Sequence, residues 1–468
     1  MAEKKKNAVL REALLDSGKN GAEKAGEKAL KAADRFCEDY KVFLDAAKTE
    51  REAVKETVKR AKKAGFVEYE YGKDYPAGSR IYKINRNKAV ILAVIGKEKA
   101  DKGVLISAAH IDSPRLDLKP NPLYEQDDLA YFKTHYYGGI KKYQWTAIPL
   151  ALHGIVCKKD GTKVEIRIGE DDNDPQLVIT DLLPHLGAEQ MQKKAADVIK
   201  GESLNLLIGS RPLPDDEGSD SVKLNVMKLL YEKYGIVEGD FTSAELEAVP
   251  AFKARDIGFD RSMIGAYGHD DRVCAYPSLM AITGIKGTPD YTCIVCLTDK
   301  EETGSDGNTG LNSVYLTNFV KDIAKMQGCS GRAALSASRC LSADVSAAYD
   351  PNFSDVFEKR NAALVNGGVS VCKYTGARGK SGTSDACAEY VGRIRSIFER
   401  NNVLWQINEL GRVDAGGGGT VALYIANYDV DVLDIGVPVL SMHAPFEVVS
   451  KLDVYMTFEA VSAFFREG

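Results

Sequence analysis

No stretch of this sequence carries eighteen consecutive apolar residues, so a membrane-spanning helix is not expected. The opening MAEKKKNAVLREALLDSGKNG lacks the apolar core of a secretory signal, and a cytoplasmic location is the expectation. A basic excess is missing too. Lys and Arg total 62 against 67 for Asp and Glu, giving a net charge of −5, which excludes the electrostatic footprint of a nucleic-acid binder. Cysteine is present nine times, an odd number without framework spacing, so reduced thiols are expected in place of a disulfide scaffold. Cys293 and Cys296 have C-x-x-C spacing, but both fall in the apolar run YTCIVCLT, where side chains three apart point to opposite faces of a strand. They cannot converge on one ion. No internal repeat and no dense metal signature such as H-E-x-x-H is found, and low complexity is confined to the GGGG at 416–419.

What is present is a large apolar fraction, 44% of 468 residues, in alternating helical and strand patterns. Residues 1–65 are rich in Ala, Glu and Lys, with apolar positions at helical spacing and Gly65 as a stop. Short strands follow: RIYKIN, AVILAVIG and GVLISAAH. A long middle section is broken by turn signals such as KPNPLYEQDD, DDNDP and SRPLPDDEGSD. It contains the strand-like IPLALHGIVCKKDGTKVEIRIG and PQLVITDLLPHLG, then a helical QMQKKAADVIK. From about Phe259 the α/β rhythm resumes. The expected architecture is α/β: a mixed, mainly parallel sheet sandwiched by helices, formed by 1–117 and 257–468 and interrupted by a β-rich insertion at 118–256.

Five places put a metal-capable side chain at the end of an apolar strand or the mouth of a loop. They are His110 and Asp112 in SAAHIDSPRL, Asp270 in GAYGHDDRV, Glu301 and Glu302 in DKEETGS, Asp344 in LSADVSAA, and His443 in VLSMHAP. In a mainly parallel sheet, ligands gather beyond the carboxyl ends of the strands, so distant segments can meet there. Two His and three carboxylates suit two zinc ions and tolerate manganese or cobalt. Water shared by two ions deprotonates readily, and a carboxylate that is not itself a ligand can take the proton and pass it to a leaving amine. Adjacent glutamates on a turn point differently. One can bind metal while the other handles the proton.

The strings AAHIDSPRL, DKEETGS, SADVSAAYDPNF and VPVLSMHAP resemble the metal-site segments of the aspartyl aminopeptidase and vacuolar aminopeptidase I family of dinuclear zinc exopeptidases. The match runs from about residue 80 to the C-terminus, in the same order. The resemblance implies a zinc-exopeptidase fold and release of N-terminal residues from peptides. It also implies that His110 and Asp344 hold one ion, that Glu302 and His443 hold the other, and that Asp270 bridges them. Glu301 would be the general base, and Asp112 would orient His110.

Around the bridge the sequence departs from an Arg-Leu-Asp-Asn type string, reading Gly268-His269-Asp270-Asp271. Asp271 is the fallback bridge, and His269 reads as a partly exposed loop imidazole. The insertion resembles the family's dimerisation domain, and its ITDLLPHLG segment implies that His185 reaches the active site of a neighbouring subunit, in a homo-oligomer built from dimers up to a dodecamer. His135 and His153 read as structural. Lys373, Arg378 and Lys380 in VCKYTGARGKSGTSDA raise an acidic substrate side chain as one option and solvated loop charges as the other. Two alternatives to an aminopeptidase stay open at this point: a carboxypeptidase or amidohydrolase on the same sheet, and a catalytically silent assembly protein.

Overall fold

The structure, a computed structural model, describes residues 10, 11, 14, 20–376 and 378–468. Most of the first twenty residues of the expected helical arm lie outside those described. The arm itself continues as helices Gly21–Ala46 and Glu50–Lys63. The second is started by Thr49, whose side chain accepts from the Glu52 N–H while Glu52 returns the bond, satisfying two of the free donors of the first turn.

Nine strands form the central sheet, in the order Val67–Glu68, Arg80–Asn85, Ala89–Val94, Cys293–Thr298, Leu105–His110, Arg339–Ala343, Asp431–Gly436, Val369–Cys372 and Trp405–Ile407. The middle four, from Cys293–Thr298 to Asp431–Gly436, are mutually parallel, and antiparallel neighbours flank them. Strands buried on both faces need apolar residues at every position, and CIVCLT and LISAAH are buried throughout. Cys293, Val295 and Leu297 pack into one core with helices Gly21–Ala46, His269–Thr283 and Lys451–Glu467. Ile294 and Cys296 pack into the other, under helix Tyr315–Met326. The two cysteines therefore face opposite layers. Each large side chain so buried contributes about 1.5–3 kcal/mol.

Residues from Arg115 to Pro250 build a separate six-stranded antiparallel sheet with its own core, including Leu116, Phe132, Trp145 and Leu246. Two expectations for this region differ from the structure. PQLVITDLLPHLG makes only isolated bridges at Leu177 and Val178, because Leu182, Leu183 and Leu186 face solvent and have no sheet neighbour to pack on. QMQKKAADVIK forms two short turns, Ala188–Met191 and Ala195–Val198, since no apolar stripe is buried to hold a longer helix. A five-stranded sheet, with Met263–Ala266, Glu447–Ser450 and Pro438–Leu440 at its centre, brings the remaining segments to the sheet edge.

Candidate metal centre

Strand register explains why residues so far apart in sequence meet. Thr298 pairs with His110 and Ser342 with Ala108, so the chain leaves the sheet at one level and places His110, Glu301, Glu302 and Asp344 together. Asp270 arrives from the other side, at the start of helix His269–Thr283. The turn into that helix uses Gly268 at φ +75, where an added Cβ would stand 1.8 Å from Arg272 Nη1.

Asp270 is the centre of the arrangement. Its Oδ1 lies 3.1 Å from His110 Nε2 and its Oδ2 lies 3.1 Å from His443 Nε2. Asp344 Oδ1 is 3.6 Å from His110 Nε2, and Glu302 Oε2 is 3.5 Å from His443 Nε2. Asp271 sits on the His110 side, where its Oδ2 accepts from the His110 N–H at 3.3 Å.

Both imidazoles are oriented from behind. His110 Nδ1 lies 3.0 Å from the Asp112 carbonyl and 3.2 Å from Asp112 Oδ1, while His443 Nδ1 donates to the Gly139 carbonyl at 2.8 Å. Only a protonated Nδ1 makes these contacts, so in its neutral form each ring would turn an Nε2 lone pair toward the carboxylates. Asp112 also accepts from the Glu301 and Glu302 N–H groups, both at 3.2 Å. That shared anchor splays the two glutamates. Glu302, 3% exposed, turns to His443, whereas Glu301, 19% exposed, lies 3.8 Å from His110 at the cavity.

The electrostatics call for cations. Burial, then the charges of Asp344, Asp270 and Asp112, push Glu301 up to about 8 against the opposing pull of His110. Burial and the Asp270 charge likewise raise Glu302. His443 is drawn down by burial but lifted to about 10 by Asp270 and Glu302. His110 Nε2, Glu302 Oε1 and Asp271 Oδ1 are buried without a hydrogen-bond partner among the described residues. Donor atoms of His110, Asp270 and Glu302 lie within 4.8 Å of one another, as do those of His110, Asp271 and Asp344. Buried oxygen and nitrogen donors left unpaired around a surplus of carboxylates fit divalent metal.

Several residues fall elsewhere than expected. His269 is not a loop imidazole: it is fully buried, donating from Nε2 to the Ile264 carbonyl at 3.1 Å and accepting from the Tyr40 hydroxyl at 2.8 Å. Burial holds it down to about 3, so it stays neutral. Lys373, Arg378 and Lys380 are exposed, with Lys380 paired to Asp385 at 3.0 Å, and none of the three lines the cavity. His185 is exposed on the inserted sheet's long loop and does not line the cavity within its own chain. His153 is buried between Glu52 and Glu170, as a structural residue would be.

One member of the site had no sequence signal. Glu447 accepts from the His443 N–H at 2.8 Å and the Asp270 N–H at 3.1 Å. It thereby holds His443 at φ +64, a left-handed backbone that costs about 1–3 kcal/mol outside glycine.

Residues 43–465 match the family model described as aminopeptidase I zinc metalloprotease (M18). The chain belongs to the M18 family of zinc aminopeptidases. It is 52% identical over 459 residues to a probable M18 family aminopeptidase 1 of Clostridium acetobutylicum, covering 96% of this chain and 98% of that one. The crystal structure of an M18 aminopeptidase from Thermotoga maritima superposes with a TM-score of 0.92 at 44% identity, covering 97% of this chain and all of the other. The S. cerevisiae mApe1 dodecamer shares the fold at a TM-score of 0.75 and 18% identity, over 94% of this chain and 97% of that one. The M18 chain is thus a metallo-exopeptidase acting at peptide N-termini, which removes both the carboxypeptidase and the assembly-protein alternatives.

Proposed function

We propose that this M18 aminopeptidase works with two divalent ions, zinc in the first place and manganese or cobalt as substitutes. His110 and Asp344 would hold one, Glu302 and His443 the other, and Asp270 would span both. The observation that carries this reading is the placement of the two Asp270 oxygens, each 3.1 Å from a different imidazole Nε2. Asp271 reaches only the His110 side, which favours Asp270 as the bridge. Metal bound there supplies Lewis-acid polarisation of the scissile carbonyl and a more acidic water.

The chain's own groups do the rest. Glu301 lines the cavity 3.8 Å from His110, where it would take a proton from water and return it to the departing amine. Asp112 keeps His110 and the Glu301–Glu302 turn in register. The cavity, about 450 Å³, extends from the carboxylates past Cys372, Thr375, Asn408, Leu410 and Met442. Among the described residues its wall holds no Lys or Arg side chain, and Asp434 adds a further carboxyl. That lining favours neutral first residues over acidic ones.

The inserted unit, 118–256, would mediate dimerisation and deliver His185 to a neighbouring site, where an imidazole can stabilise a developing oxyanion. Leu182, Leu183 and Leu186, 50–71% exposed around His185, support an interface on that loop. Assembly into a dimer-based oligomer, up to the dodecamer named for the yeast relative, follows from this reading. Nine free cysteines support a reducing, cytoplasmic setting. No helix among the described residues is long and apolar enough to cross a membrane.

Metal content and turnover, measured together, test the core assignment. Two ions per chain are expected in the native protein, with Glu301→Gln keeping both while kcat falls by about 10²–10⁴-fold. Full turnover by that variant would remove Glu301 from the mechanism.

A further inference from the structure

The inserted unit does more than extend away from the catalytic sheet. Its strand Leu129–Tyr137 ends against the metal centre, and three consecutive residues there touch three different members of it. The Tyr137 hydroxyl donates to Asp112 Oδ2 at 2.8 Å. The Gly139 carbonyl accepts from His443 Nδ1 at 2.8 Å. Between them Gly138, at φ +74, runs so close to Glu302 that an added Cβ would stand 3.2 Å from its Oε2 and 3.3 Å from its Cβ.

We propose that Tyr137, Gly138 and Gly139 form a positioning element through which the inserted unit sets both halves of the metal centre in its own chain. The inference rests on the dinuclear reading above.

Asp112 Oδ2 receives two donors, the Tyr137 hydroxyl at 2.8 Å and the Glu302 N–H at 3.2 Å. The shorter bond therefore comes from the insertion. Tyr137 cannot readily swing away, because the Arg115 guanidinium lies 3.9 Å from its ring centroid. Arg115 is in turn buried and held by Asp117 at 2.8 Å and Glu247 at 3.3 Å. Without the hydroxyl the carboxylate could rotate, and with it the ring of His110. On the other side, Gly139 fixes the ring of His443 while Gly138 limits where Glu302 can sit. Residues behind metal ligands of this kind typically change affinity by about 10–100-fold when altered.

The test uses the full-length protein, stripped of metal, titrated with zinc against a chromogenic chelator, and then assayed for kcat and KM separately. Tyr137→Phe removes one oxygen and keeps the ring under Arg115. It should lower zinc affinity by about 10–100-fold and lower kcat while KM stays within about twofold. Its unfolding temperature without metal should match that of the native chain. Tyr131→Phe, on the same strand and stacked on Tyr124, should change none of these. Gly138→Ala should weaken one zinc site more than the other. Native zinc affinity and kcat in Tyr137→Phe, or a loss of unfolding temperature alone, would overturn the proposal. A native chain that takes up fewer than two zinc ions would instead sink the dinuclear reading on which it stands.

Discussion

Asp270 Oδ2 and His443 Nε2 approach to 3.1 Å from segments on different elements, the head of helix His269–Thr283 and the loop after strand Pro438–Leu440. The other Asp270 oxygen makes the equivalent approach to His110. If Asp270 spans two ions, Asp270→Asn should strip both and abolish activity. Asp271→Asn should disturb the His110 side and leave an ion on the His443 side. Metal analysis after dialysis separates the outcomes, and retention of two ions by Asp270→Asn would reassign the bridge.

Substrate preference follows from the cavity wall. An acidic first side chain would enter a space with buried Asp434 and the metal-site carboxylates but, among the described residues, no Lys or Arg side chain. Leucyl or methionyl chromogenic substrates should exceed aspartyl and glutamyl ones by at least about tenfold in kcat/KM, a difference of about 1.4 kcal/mol. Equal rates would require a cation supplied from outside this wall.

The junction between the helical arm and the inserted sheet carries a pH signature. His153 Nδ1 lies 2.9 Å from Glu52 and Nε2 lies 3.2 Å from Glu170. Burial draws the imidazole down, but the two carboxylates outweigh it and raise it above its ordinary 6.5. Its contribution is therefore complete below 6.5 and lost as pH rises through the higher folded value. Glu170 runs the opposite way. Burial raises it, but His153 and Lys48 bring it down to about 2, so its contribution is present above its ordinary 4.5 and lost as pH falls toward 2. Unfolding temperature should fall on the alkaline side, and His153→Gln should flatten that limb while lowering stability by about 1–3 kcal/mol. An unchanged alkaline limb in the variant would place the titration elsewhere.

His185 can be tested by mixing. His185→Ala and Glu301→Gln should each be nearly inactive alone. Mixed oligomers should regain activity, because a Glu301→Gln subunit still offers His185 to a neighbour with an intact Glu301. No recovery after verified subunit exchange would remove His185 from the neighbour's site.

The clustering of the candidate residues at the strand ends was legible because YTCIVCLT and GVLISAAH read as buried strands. A carboxylate just beyond such a strand has few places to go. That Glu301 and Glu302 face different neighbours was legible for the same reason. His269 was misjudged because its partners, the Tyr40 hydroxyl and the Ile264 carbonyl, come from elements that no local pattern links. Glu447 was missed because it acts through two backbone N–H groups, and a side chain serving backbone leaves no spacing signature. The contacts of Tyr137 and Gly139 were hidden likewise. The YYGG string marks only a close backbone approach, without saying to what.

Because Asp112 anchors the imidazole of His110 and both glutamate amides, the site has no portable core. A peptide copied from DKEETGS would keep two acids but lose the carboxylate that spreads them apart. Any translation product that stops before His443 lacks one of the two rings facing Asp270. On the proposed reading, cation capture would be a late event in the making of this protein, available only once the strands have paired, and it would serve as a chemical record that they did.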